Sequence, residues 1–185
     1  MKPALAILLA ALGTAASVRA QSPQQLEMKQ ILEDLSTQSK RLIPILEQID
    51  PNVWVTAKGA PDTYIRQWHN SIDQLKALIA DTNELSKDPE RLPFALQTFF
   101  RVQNLQVMLQ SLVDGIRRYQ NSALADLLAG VAAEGGTDRE RFQQYIMSLA
   151  TERDQMFGIM DHEAQRCRSI LSNQGSAPAR PPARK

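Results

Sequence analysis

Apolar side chains recur along this chain at helical spacing. Set at 100° per residue, Met28, Ile31, Leu32, Leu35, Leu42, Ile45, Leu46 and Ile49 fall within about half a turn of one another, which predicts an amphipathic helix over 24–49. Pro44 falls on the opposite side, where its missing N–H and its clash with the Lys40 carbonyl are met by a bend and by water, so a kink is expected there and not a break. Asp50-Pro51-Asn52 reads as the stop, and Val53-Trp54-Val55-Thr56 as a short extended piece ending at Lys58-Gly59, with Trp54 plugging the end of the helical body. Pro61 and Asp62 open a second helix over 61–86, with Tyr64, Ile65, Trp68, Ile72, Leu75, Leu78 and Ile79 inward. Trp54 and Trp68 are expected at the same end.

Asp88-Pro89-Glu90, with Pro93, announces a long third helix to Tyr119, whose main stripe is Phe94, Val102, Leu105, Leu109, Leu112 and Ile116. Its first half carries a second apolar face, Leu96, Phe99, Phe100 and Val107. Asn121 is placed to cap a short helix over 122–133, which Gly135-Gly136 ends. Thr137-Asp138-Arg139-Glu140 then fits a capping box that starts the last helix, over 137–171. Its stripe of Phe142, Ile146, Leu149, Arg153, Met156, Met160, Cys167 and Leu171 advances in the alternating steps of three and four of a coiled coil, with Ala164 filling the one seven-residue step. The pattern predicts an all-α fold, an elongated antiparallel helical bundle of four long helices and one short one.

The first twenty residues change the picture of where the chain resides. Met1-Lys2 is a positive start, Ala4 to Ala16 an apolar run, and Ser17-Val18-Arg19-Ala20 ends in small residues at the −3 and −1 positions, as a secretory signal peptide cleaved after Ala20 would. The run is shorter than the roughly 20 apolar residues that cross a bilayer. No Cys follows it, which argues against a lipid anchor. The expected organisation is a leader over 1–20, a helical domain over 21–172, and a basic Pro/Ala/Arg tail over 173–185 that lacks apolar surface to order itself. The expected location is the periplasm or the outside of the cell.

The chain of 185 residues has 21 basic and 20 acidic side chains, and removing leader and tail leaves a weakly acidic body, which argues against nucleic acid as a partner. Arg180, Arg184 and Lys185 allow the tail only weak contact with an anionic surface. One cysteine excludes a disulfide framework within the monomer. There is no Cys-x-x-Cys-His or His-Glu-x-x-His, and neither His69 nor His162 has a glutamate three residues before it, so the usual haem, zincin and di-iron spacings are missing and no cofactor or metal is expected. Both histidines fall off their helices' stripes and are expected at the surface. No nucleophile elbow, P-loop or dinucleotide-binding turn occurs either, and an enzyme is not expected.

Two constellations remain. Leu96, Phe99, Phe100 and Val107 offer a face for self-association or a protein partner, the use expected of a non-catalytic interaction or scaffold protein of the cell envelope. Alternatively, Arg153, Met156 and Met160 on the last stripe point into the bundle and would hold a small ligand or metal there, as in a carrier. A guanidinium at such a position needs a carboxylate or a path to water, and Asp73 and Asp114 face away from the main stripes of their own helices. Cys167, on the same stripe, is expected to be buried and inert, with an intermolecular disulfide as the alternative.

Overall fold

In a computed structural model the chain is all-α, and the structure describes residues 23–174. Six helices follow one another: α1 (Pro23–Leu46), α2 (Pro51–Lys58), α3 (Thr63–Leu85), α4 (Leu92–Tyr119), α5 (Ser122–Glu134) and α6 (Gly136–Gln174). The expected leader and all of the expected tail except Asn173 and Gln174, which belong to α6, lie outside the described residues.

The extended piece expected at 53–56 is instead the helix α2. Asp50 is its N-cap, accepting from the backbone N–H groups of Asn52 at 3.1 Å and Val53 at 3.4 Å, and Pro51 occupies the first turn, where its missing donor costs nothing. The helix ends at Gly59, whose φ of 65° is the left-handed turn that glycine adopts without strain, and the Ala60 N–H closes the turn on the Trp54 carbonyl at 3.0 Å. α1 runs through the exposed Pro44 and stops one turn before the expected Ile49. The expected capping box does not form: α6 begins at Gly136, and Thr137 already lies inside it.

Two apolar clusters hold the body. In the first, Leu42, Leu46, Leu75, Leu105, Leu112 and Leu128 bring together the C-terminal half of α1 with α3, α4 and α5, and contacts run from α1 to α3, α4, α5 and back to α1. Trp54 seals this cluster as expected. Its ring meets Tyr64 edge-on at 5.7 Å and stacks on Tyr119 at 6.1 Å, while its Nε1 donates to Gln120 Oε1 at 3.1 Å. Trp68 packs against the same cluster and donates to the Leu46 carbonyl at 2.8 Å, which also accepts the Ile49 N–H at 3.1 Å in the turn that ends α1.

In the second cluster Met28, Ile31, Leu32 and Leu35 of α1 meet Leu85, Ala95 and, from α6, Phe142 and Ile146. α5 and the first part of α6 therefore take successive stretches of the same two neighbours, α1 and α4. The joint between them is Gly135 alone. A Cβ there would lie 1.9 Å from Gln38 Oε1, so only glycine lets the Gln38 amide reach the end of α5, where Nε2 donates to the Val131 carbonyl at 2.8 Å and that of Ala132 at 3.2 Å.

Candidate functional site

The two candidate sites read from the sequence are both rearranged by one event, the departure of α6 from the body. Phe142, Ile146 and Leu149 are buried, and from Thr151 to Ser172 every residue is exposed. Arg153, Met156 and Met160 therefore do not point into an interior, and the expected ligand pocket around them is corrected: the spacing continues after the neighbouring helices have ended. Arg153 finds its carboxylate in Glu90, with Nη2 3.5 Å from Oε2 and 3.5 Å from the Glu90 carbonyl. Cys167 is exposed and not buried. Phe157 and Ile159, which lie beside the stripe and were missed in the pattern, are exposed with it.

The second face of α4 is divided. Leu96 and Phe99 are partly buried against the second cluster, Phe99 meeting Phe142 edge-on at 6.1 Å. Phe100 and Val107 are 60% and 72% exposed. A continuous four-residue docking face is therefore not present, because half of it is used to seat α6. His69 lies against Trp68, with ring centres 4.6 Å apart, and both it and His162 are exposed.

Where α6 leaves, Tyr145 sits half-buried near Asp88, Glu90, Glu152 and Arg153. Burial first, then the charges of Glu90, Glu152 and Asp88, hold its phenol above the ordinary value, against the smaller opposing effect of Arg153. A raised folded-state value means that the stability it contributes is complete below the unfolded value of about 10 and is lost as pH rises through the folded one. Tyr145→Phe is expected to flatten the alkaline fall in stability above about pH 10, measured as urea midpoints across that window. An unchanged alkaline slope would assign the fall to other groups.

A cavity of about 280 Å³ lies beside the first cluster, between α1, α3, α4, α5 and the start of α6. Leu35, Leu42, Leu78, Leu105 and Leu109 form its apolar walls, Ala129, Ala132 and Ala133 line the α5 side, and Gln106, Gln110 and Arg139 contribute polar groups. The signal for it was present in the short helix, which offers alanines where its neighbours offer leucines. Among the described residues no group of three or more His, Cys, Asp or Glu is placed to hold a metal ion, and no helix is long and apolar enough to cross a membrane. No family model, curated protein or solved structure matches the chain.

Proposed function

We propose that this chain is a non-catalytic interaction protein of the cell envelope, and that its interacting element is the outer part of α6, paired with the same segment of a second copy. The observation that carries this reading is the apolar side of an unpartnered helix: Met156, Phe157, Ile159, Met160, Ile170 and Leu171 are between 48% and 73% exposed. Helices in proteins are held chiefly by packing of an apolar face, and among the described residues this stretch has nothing packed on its own. The steps of three and four suit a second helix laid alongside.

Charge selects the second copy and its direction. The inner stretch of this arm carries Glu152, Asp154, Asp161 and Glu163 against Arg153, and the outer stretch carries Arg166 and Arg168 with no acid. Antiparallel pairing lays Glu152 and Asp154 of each copy near the basic stretch of the other, whereas parallel pairing sets each acid beside its own counterpart. In the antiparallel register Cys167 falls opposite Met156 of the second copy, so the pair forms without a disulfide. The reading takes the body as an elongated antiparallel bundle and the leader as the export signal; export, in turn, supports the envelope as its setting.

Light scattering across a dilution series tests it. The chain is expected to dimerise with or without reductant, and Met156→Asp with Met160→Asp is expected to weaken dimerisation at least ~100-fold, since each buried unpaired charge costs several kcal/mol. Thermal unfolding of the body stays unchanged. Arg166→Glu with Arg168→Glu weakens the dimer, and adding Glu152→Arg and Asp154→Arg restores it. A monomer at every concentration, or a dimer indifferent to Met156 and Met160, overturns the reading; a dimer that reductant dissociates overturns its direction.

A further inference from the structure

We infer that the cavity beside the joint of α5 and α6 binds a small amphipathic carboxylate, with its apolar body among the leucines and its carboxylate on Arg139. The site is independent of the outer arm of α6. Its walls pass from apolar to polar: Leu35, Leu42, Leu105 and Leu109 lie on one side, and Gln106, Gln110 and Arg139 supply the hydrogen-bonding groups. Three alanines of α5 leave the space open, and it reaches the surface at Gln106, Gln110 and Ala133, which are exposed and give a ligand a way in.

Arg139 is held for this role. Its Nη1 donates to the Ala132 carbonyl at 3.2 Å, which fixes the guanidinium against the end of α5 beside the Gln38 amide. A guanidinium has five N–H donors, and among the described residues no carboxylate pairs with this one. The fork that remains suits a carboxylate, and Arg139 stands in the first turn of α6, where the helix dipole also favours negative charge. The neighbouring Asp138 is occupied by Arg141 at 3.5 Å. An apolar cavity of about 150 Å³ takes a benzene ring, so this space takes about ten non-hydrogen atoms. That is the size of octanoate.

Calorimetric titration of the whole chain with octanoate, octanol and octylamine tests the proposal. Octanoate is expected to saturate at one per chain and to raise the unfolding temperature, with octylamine at least ~tenfold weaker. Arg139→Gln is expected to weaken octanoate about tenfold and leave octanol unchanged, as loss of a charge-assisted hydrogen bond should. Ala129→Leu fills the space and is expected to abolish binding of both while the unfolding temperature holds or rises; Ala132→Leu serves if that variant does not fold. The proposal is overturned by the absence of saturable octanoate binding, by binding that survives the filled cavity, or by equal losses of octanoate and octanol in Arg139→Gln.

Discussion

Trp54→Ala is expected to destabilise the chain by about 3–5 kcal/mol, lowering the unfolding temperature by roughly ten degrees or more. The indole is 1% exposed and wedged between Tyr64 and Tyr119, so truncation removes its buried surface, opens a void and leaves the Gln120 amide short of a donor. The surroundings cannot collapse onto that void easily. Gly115 of α4 already lies so close that a Cβ there would come within 2.7 Å of the Tyr64 ring and 3.0 Å of Trp54. Trp54→Phe keeps most of the ring and loses the hydrogen bond, and about 1–2 kcal/mol is expected for it. Urea unfolding followed by circular dichroism measures both. A loss below about 1 kcal/mol for Trp54→Ala would mean that this end of the body is not closed by the indole.

Phe142→Ala carries the second large effect, again about 3–5 kcal/mol. Phe142 is fully buried in the second cluster and meets Phe99 edge-on, so its removal loosens the seating of α6 on α1 and α4. The two variants together ask whether the body unfolds as one unit. α1 and α4 pass through both clusters, which couples them, and a single transition is expected. Trp54 and Trp68 both belong to the first cluster, so tryptophan emission reports on it while circular dichroism reports on the whole. In Phe142→Ala the two signals are expected to shift together to lower urea. If emission held its midpoint while helicity fell, the second cluster would be a separable unit.

The stripes of Met28 to Leu46, of Leu75 and Leu78, and of Val102 to Ile116 were legible because each helix meets its neighbours along its whole length, so periodicity and burial coincide. The same reading fails on α6, where an unbroken stripe is buried up to Leu149 and bare beyond it. Periodicity reports which side chains share a face and is silent on whether anything lies opposite. Arg153, Met156, Met160 and Cys167 were misplaced for that reason alone. α2 fails differently: Val53, Trp54 and Val55 have strand propensity, and the Asp50 cap with Pro51 outweighs it, while the expected opening at Pro61 shifts to Thr63, with Asp62 as N-cap and Pro61 outside the helix. The cavity was half legible: Ala129, Ala132 and Ala133 show small side chains on the short helix without showing what faces them.

The passage of α6 from buried to bare without a break has a geometric consequence. From Ala150 to Gln174 the helix continues for 25 residues, about 37 Å along its axis, unbroken through Gly158 and without a proline to kink it. Whatever this arm meets is thus set at a fixed reach and a fixed bearing relative to Phe142. Removing seven residues from it would draw the tip in by about 10 Å and turn its apolar side by only about 20°, whereas removing five would turn that side by about 140°. The arm behaves as a gauge rod keyed to the body, and sequence changes that preserve its composition but not its phase would aim the apolar side away from its target.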